Sequence, residues 1–239
     1  MGVESKLPWA VQKLIRIHMS LHRLGTPPEV TPQEAFTRIY AENAWRGRGA
    51  GESKSGPGST LVYTESMRAA LPGIFERYDV HSIVDAGCGD FAWMQEVPMD
   101  GIDYTGLDVV DSVIEANQAE HGAPDRRFAK ADLTTDRLPR ADLVIARDVL
   151  FHLPLSLGVA AVENFRNSGS RYLLATTHWD NPVNTDVVTG GFRLINLEQE
   201  PFNLPTALEY IADRGAEGHY PEGHPQHHRY LGLWVLNEK

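Results

Sequence analysis

The chain is short of cysteine, of positive charge and of long apolar runs, and each shortage excludes a class of protein. Cys88 is the single cysteine among 239 residues, so no internal disulfide can form, as is usual in a reducing compartment. Lys and Arg number 22 against 32 Asp and Glu, a formal net charge of −10 that repels nucleic acid and anionic lipid surfaces. The sequence has neither a membrane-span-length apolar run nor a signal-peptide pattern. We therefore expect a cytoplasmic protein with no nucleic-acid or membrane partner.

The order of segments between residues 80 and 180 predicts the fold class. The short apolar runs HSIVDAG, YTGLDVV, RRFAKADL, ADLVIARDV and RYLLATTHW alternate with helical segments such as DSVIEANQAEH and LSLGVAAVENF. This alternation is typical of βαβ units, and it predicts a doubly wound, Rossmann-like α/β sheet with helices on both faces. Two late strands, antiparallel to the others, are expected near 207–212 and 229–236.

The rest of the chain predicts an organisation in two parts. Residues 1–79 are expected to form a helical cap with an amphipathic helix over 7–24, a second helix from Pro32 to about Asn43, and a glycine-rich and serine-rich loop. Residues 80–239 are expected to form the core, with an insertion on the acceptor side at about 180–206. The apolar stripe of the first helix fits a substrate lid, a homodimer surface or plain packing on the core.

The stretch IVDAGCGDFAW, residues 83–93, is expected to be the junction at which the first strand meets its helix. Its Gly87-x-Gly89-x-x-Ala92 spacing matches the dinucleotide motif, with Asp108 near the right distance for a ribose. A diphosphate, however, needs positive potential at such a loop, and Asp85 and Asp90 flank it with carboxylates. S-adenosylmethionine carries a sulfonium and an ammonium and no phosphate. The charges therefore favour this cofactor, and a nicotinamide-dependent oxidoreductase stays as the alternative.

Four motifs, in order along the chain, carry a family resemblance. IVDAGCGD, TGLDVV, AKADL and ADLVIARDVLFHL resemble the successive motifs of class I S-adenosylmethionine-dependent methyltransferases over about residues 80–180. The resemblance implies a cofactor site built from strand ends: Asp85, Gly87 and Gly89 at the methionine part, Asp108 at the ribose, Asp132 and Leu133 at the adenine, and Arg147 beside them.

The outer segments IYAENAW, ESKSGPGST, TTHWDN and GGFRLINLEQEPFNLP resemble a narrower group of small bacterial methyltransferases that act on sugars. Within it, the chain is similar to the mycobacterial enzymes that methylate mannose-containing polysaccharide precursors. This implies a sugar or oligosaccharide acceptor, with a non-sugar metabolite as the alternative. It also implies that the loop covers the cofactor through Trp45, Ser55, Gly56 and Ser59.

Methyl transfer to a hydroxyl requires a base that takes the proton, and histidine suits this near neutral pH. His152 follows the fourth predicted strand and His178 closes the fifth, so both are candidate general bases. His152 is the nearer of the two to the cofactor motifs. Each also fits a structural histidine bonded to backbone, and a binding module that keeps the fold without catalysis is a third hypothesis.

The residues after the fifth predicted strand suit a sugar. The indole of Trp179 can pack on the apolar side of a pyranose, while Asp180, Asn181 and Asp148 can bond its hydroxyls. Trp179 equally suits closure of the core. Asp148 and Asp180 also offer oxygen ligands to magnesium. The tract HYPEGHPQHH at 219–228 fits either a transition-metal site or a solvated loop.

Overall fold

The computed structural model describes residues 30–45, 53–213 and 229–238. The predicted helix over 7–24 and the histidine tract at 219–228 lie outside the described residues. Within the described ranges, seven strands and four α-helices have the following bounds: β1 Ser82–Ala86, β2 Asp103–Asp108, β3 Arg126–Lys130, β4 Leu143–Ala146, β5 Tyr172–His178, β6 Glu209–Ala212, β7 Arg229–Val235, α1 Pro32–Ala41, α2 Leu61–Arg77, α3 Asp111–His121 and α4 Leu155–Asn167.

The strands form one sheet in the order β3-β2-β1-β4-β5-β7-β6. The first five are parallel, and β7 runs antiparallel to both β5 and β6. The predicted fold class is therefore confirmed, including the late antiparallel strands. The strand order reverses between β1 and β4, and ligands of such sheets bind at this point, beyond the carboxyl ends of the strands.

The alternation of side chains along β1 explains why both faces of the sheet are covered. Val84 and Ala86 belong to a core with Phe165 of α4, whereas Ile83 belongs to a second core with Leu71 of α2. All five side chains are at least 99% buried, and burial of one such side chain stabilises the fold by about 1.5–3 kcal/mol. The two cores fix the edge of the sheet on which the candidate site is built.

Helix α1 begins at Pro32, as predicted, and ends at Ala41, two residues short of the predicted Asn43. Phe36 and Tyr40 lie one turn apart on the same face of the helix. Both contact the indole of Trp45, with ring centroids 5.8 and 6.1 Å away. The helix therefore positions Trp45.

No α-helix follows β1 directly in the described part of the chain, contrary to the expectation of a strand-to-helix junction. Residues 87–102 contain turns and one short 3-10 helix, Met94–Glu96. A dinucleotide motif depends on the N-terminus of a helix that faces the phosphates. The glycine turn has no such helix behind it, so its dinucleotide-like spacing lacks the structural context that the motif requires.

The insertion at 180–206 has no regular helix or strand. It is nevertheless packed on the sheet, because Ile195, Leu197 and Leu204 are buried in the same core as Phe165.

In the described ranges, no helix has the length and apolar character needed to cross a bilayer. The predicted boundary between cap and core at residues 79 and 80 stays a prediction.

Candidate active site

A cavity of about 430 Å³ lies beyond the carboxyl ends of β1, β2 and β4. Every residue predicted to bind the cofactor is on its wall: Trp45, Ser55, Gly56, Ser59, Asp85, Gly87, Gly89, Asp108, Asp132, Leu133 and Arg147. His152 and Asp148 are on the same wall. Their roles toward a cofactor stay predictions, but the structure brings these separate motifs together.

Gly87 and Gly89 form the turn at the end of β1, with φ angles of 84° and 56°. Residues that carry a side chain rarely adopt such backbone angles. A Cβ atom on Gly87 would also lie 2.4 Å from Val149, and one on Gly89 would lie 2.4 Å from the Ser55 hydroxyl. Only glycine fits at both positions, and the turn brings the end of β4 and the loop at 53–59 close to β1.

Two buried carboxylates face the cavity from β1 and β2. Asp85 accepts a hydrogen bond from the Tyr104 hydroxyl at 2.7 Å, and burial raises the pKa of Asp85 to about 7. Asp108 accepts from the backbone N–H groups of Gly89 and Val110 at 3.1 and 3.0 Å, and burial raises its pKa as well. These donors are neutral, so a positively charged ligand would offset the cost of ionising the pair.

Asp90 is not on the cavity wall, where the sequence suggested a second flanking carboxylate, because its side chain fastens the loop at 53–59, which we call the covering loop. It accepts hydrogen bonds from the hydroxyls of Ser53 and Ser55 at 2.9 and 3.0 Å and from the backbone N–H of Lys54 at 2.5 Å. The Tyr40 hydroxyl bonds the Ser55 hydroxyl at 2.8 Å. Of the two carboxylates that flank the glycine turn, one therefore faces the cavity and the other holds its cover.

His152 ends a short 3-10 helix after β4, and its ring lies on the cavity wall. Its Nδ1 lies 2.5 Å from the carbonyl oxygen of Gly191. Because a carbonyl can only accept, Nδ1 carries the proton in the neutral ring and Nε2 carries the lone pair. The ring stacks on Trp45 at a centroid distance of 4.8 Å. Burial lowers the pKa of His152, so the ring is neutral at neutral pH.

The insertion holds His152 in this orientation. In addition to the Gly191 carbonyl, the backbone N–H of Gly190 donates to the His152 carbonyl at 2.8 Å. The buried guanidinium of Arg193 donates to the carbonyls of Leu150 and Leu153, which flank the histidine. The sequence contains no local signal for these contacts, because about 40 residues separate the partners.

His178, the other candidate base, is not on the cavity wall. Its side chain is fully buried, and Nδ1 lies 3.2 Å from the backbone nitrogen and 3.3 Å from the carbonyl oxygen of Ile195. Burial, with a smaller effect of Arg229, lowers the pKa of His178 to about 4. The insertion covers the end of β5, which is why a histidine at a strand end is closed off from the cavity.

The segment predicted to bind a sugar, Trp179, Asp180 and Asn181, is also absent from the cavity wall. Trp179 is 51% exposed, and its ring meets the edge of Tyr230 at 6.5 Å. The Asn196 amide donates to the carbonyls of Trp179 and Asn181, so the turn is attached to the insertion. A role for this segment toward an acceptor stays a prediction.

Asp148 and Arg147 belong to a buried group of charges that the sequence did not reveal. Arg147 donates two hydrogen bonds to Asp213, at 3.0 and 3.1 Å, and Arg229 donates to the same carboxylate at 3.0 and 2.7 Å. Arg229 also lines the cavity. Asp213 lies 66 residues from Arg147, and no motif links the two.

The predicted magnesium ion finds no support in the structure. In residues 30–45, 53–213 and 229–238, no three His, Cys, Asp or Glu side chains come together as metal ligands. The Asp148 carboxylate lies within 3.3 Å of one guanidinium and 3.0 Å of another, and such neighbours oppose a cation.

No family model matches the chain, and no curated protein matches it. Solved structures, by contrast, do match the chain. TnmH is 15% identical, with a TM-score of 0.60 over 95% of this chain and 68% of that one. The magnesium protoporphyrin IX methyltransferase ChlM from Synechocystis PCC 6803, with bound S-adenosylmethionine, is 13% identical, with a TM-score of 0.58 over 88% and 99%. The [4+2]-cyclase SpnF is 17% identical, with a TM-score of 0.55 over 79% of each chain. The chain therefore has the Rossmann-like fold of class I methyltransferases, which also occurs in a cyclase.

Proposed function

We propose that the protein is an S-adenosylmethionine-dependent O-methyltransferase with His152 as general base. The observation that supports this most is one cavity in which carboxylates from neighbouring strand ends share a wall with a histidine whose Nε2 carries the lone pair. This pairs a place for a positively charged cofactor with a group that can take a hydroxyl proton.

The residues present fit the cofactor. Asp85 and Asp108 place negative charge beside the glycine turn, which suits an ammonium and the hydroxyls of a ribose. Asp132 and Leu133 continue the wall at the end of β3, on the side proposed for the adenine. When bound, S-adenosylmethionine supplies a methyl group on a positively charged sulfur.

His152 takes the proton of the acceptor hydroxyl at Nε2 while its Nδ1–H keeps donating to the Gly191 carbonyl. The Gly191 bond orients the ring and favours its charged form, because the carbonyl dipole stabilises the imidazolium. Trp45 and Phe151 pack against the ring, and they exclude water from the hydroxyl during attack.

We propose that the acceptor is a hydroxyl of a sugar or an oligosaccharide, such as a mannose-containing polysaccharide precursor. This rests on the resemblance of the outer segments and on the cavity wall, where the aromatic rings of Trp45 and Phe192 offer faces for the apolar side of a pyranose. The same aromatic wall also suits a planar, non-sugar hydroxyl compound, which is the second candidate acceptor.

Two measurements test the proposal. Calorimetry with S-adenosylhomocysteine and with NAD should show saturable binding of the first alone. Incubation with methyl-labelled S-adenosylmethionine and a panel of mannosides, oligosaccharides and phenols should then label one acceptor class. Binding of NAD instead would overturn the cofactor assignment, and cofactor binding with no label on any acceptor would favour a binding module. Label on phenols alone would overturn the sugar acceptor.

A further inference from the structure

Four charged side chains form a cluster at the end of the cavity near His152: Arg147, Asp148, Asp213 and Arg229. We call this the charge cluster. Asp213 is completely buried and accepts hydrogen bonds from both guanidinium groups. Both arginine side chains are nearly buried, with 2% and 3% exposure. Buried charges of this kind are stable only when each has an opposite partner.

Asp148 is the member of the charge cluster that the cavity exposes most, with 16% of its side chain accessible. Its Oδ2 lies 3.0 Å from Nη2 of Arg229 and 3.3 Å from Nη1 of Arg147. A carboxylate or phosphate group on an acceptor would seek these same two guanidinium groups. The carboxylate of Asp148 already occupies that position.

The backbone is held so that Asp148 presents its carboxylate there. The residue has a φ angle of 59°, a left-handed conformation that aspartate and asparagine adopt more readily than most other residues. Thr176 holds it: its Oγ1 accepts from the Asp148 N–H at 2.9 Å and lies 3.1 Å from the Asp148 carboxylate. The covering loop closes directly on this group, since a Cβ on Gly58 would lie 2.9 Å from Oδ2.

We infer that Asp148 is a specificity-determining residue that restricts this enzyme to uncharged hydroxyl acceptors and excludes carboxylates and phosphate esters. Two arginines and two carboxylates give the charge cluster a net charge of zero. An incoming anion meets a carboxylate where it needs a cation, and a side chain at position 58 would collide with that carboxylate. The inference rests on the proposed function, because it assumes that the acceptor enters beside His152.

The test uses phosphate as the anionic probe and the full-length protein saturated with S-adenosylhomocysteine. Asp148→Asn keeps the shape of the side chain, suits the positive φ, and leaves the cluster with one net positive charge. Calorimetry at constant ionic strength should show no saturable phosphate binding to the wild type. The Asp148→Asn variant should bind phosphate at least about tenfold more tightly, as expected for a charge-assisted contact.

Asp111→Asn is the matched control, because it removes the same charge from an exposed ion pair with Lys130, outside the cavity wall. It should behave as the wild type does. Equal phosphate affinity in Asp148→Asn and the wild type would overturn the inference. Saturable phosphate binding to the wild type would also overturn it, and that measurement does not depend on whether the variant folds. Failure to bind S-adenosylhomocysteine would instead contradict the proposed function.

Discussion

The carboxylates at the two ends of the cavity differ in the partners that balance their negative charge. At the end proposed for the cofactor, here called the cofactor end, Asp85, Asp108 and Asp132 accept hydrogen bonds from hydroxyls and backbone N–H groups, which are neutral donors. At the end proposed for the acceptor, here called the acceptor end, Asp148 and Asp213 are matched by two arginines. Carboxylates with neutral donors favour a ligand that carries positive charge. Carboxylates already paired with arginines favour an uncharged ligand. This difference is what a sulfonium cofactor and an uncharged acceptor require.

The largest effect is expected at the acceptor end, from His152. His152→Gln should lower kcat by about two to four orders of magnitude, because the base is lost, while calorimetry shows unchanged affinity for S-adenosylhomocysteine. His178→Gln, a change at the neighbouring strand end outside the cavity, serves as the comparison and should lower kcat far less. Equal losses in both variants would contradict the assignment of the base.

Replacement of a carboxylate should change stability in opposite directions at the two ends. Asp85 has a pKa of about 7 in the folded protein, so above pH 7 it is ionised while buried, at a cost that the unfolded chain does not bear. Asp85→Asn should therefore raise the free energy of unfolding at pH 8 by about 1–3 kcal/mol. The gain should shrink as the pH falls below 7.

Asp148→Asn removes one partner of two buried guanidinium groups and should lower the free energy of unfolding at the same pH. Urea denaturation of the two variants measures both effects. If Asp85→Asn instead destabilised the ligand-free protein, the ionised Asp85 carboxylate would already be stabilised by its surroundings in the folded protein, which would contradict this account of the cofactor end.

The affinity of the wild type for the cofactor should depend on pH. A ligand that carries an ammonium binds the ionised form of Asp85, so below pH 7 binding must first release a proton. Affinity for S-adenosylhomocysteine should fall by up to about tenfold for each pH unit below 7 and level off above it. Calorimetry in buffers of different ionisation enthalpy measures the proton release, and no release near pH 6 would contradict the proposed pairing of Asp85 with the ammonium.

The smallest expected effect comes from the covering loop. Asp90→Asn weakens the hydrogen bonds to Ser53, Lys54 and Ser55 and should weaken S-adenosylhomocysteine binding by about three- to tenfold, since each charge-assisted bond contributes about 1.5–3 kcal/mol and water replaces part of it. The variant should keep the pH dependence that we assign to Asp85, and an unchanged affinity for S-adenosylhomocysteine would contradict the role of Asp90 in holding the loop.

The features that the sequence predicted are local in the chain. Short apolar runs set the strands, and the Gly87 and Gly89 turn could be placed because it follows β1 directly. The features it missed depend on contacts between distant residues. The pairing of Arg147 with Asp213, the burial of His178 under Ile195 and the outward turn of Asp90 toward Ser53 result from tertiary packing, which a residue's own neighbours in the sequence do not determine.

The most direct test of the charge difference is the affinity of two ligands that differ in the amino-acid part. S-adenosylhomocysteine carries an ammonium, whereas 5′-methylthioadenosine lacks it. Wild-type protein should prefer the first by about tenfold or more at pH 8, and Asp85→Asn should lose most of that preference while its affinity for 5′-methylthioadenosine is kept. An unchanged preference in Asp85→Asn would contradict the claim that this carboxylate pairs with the ammonium of the cofactor.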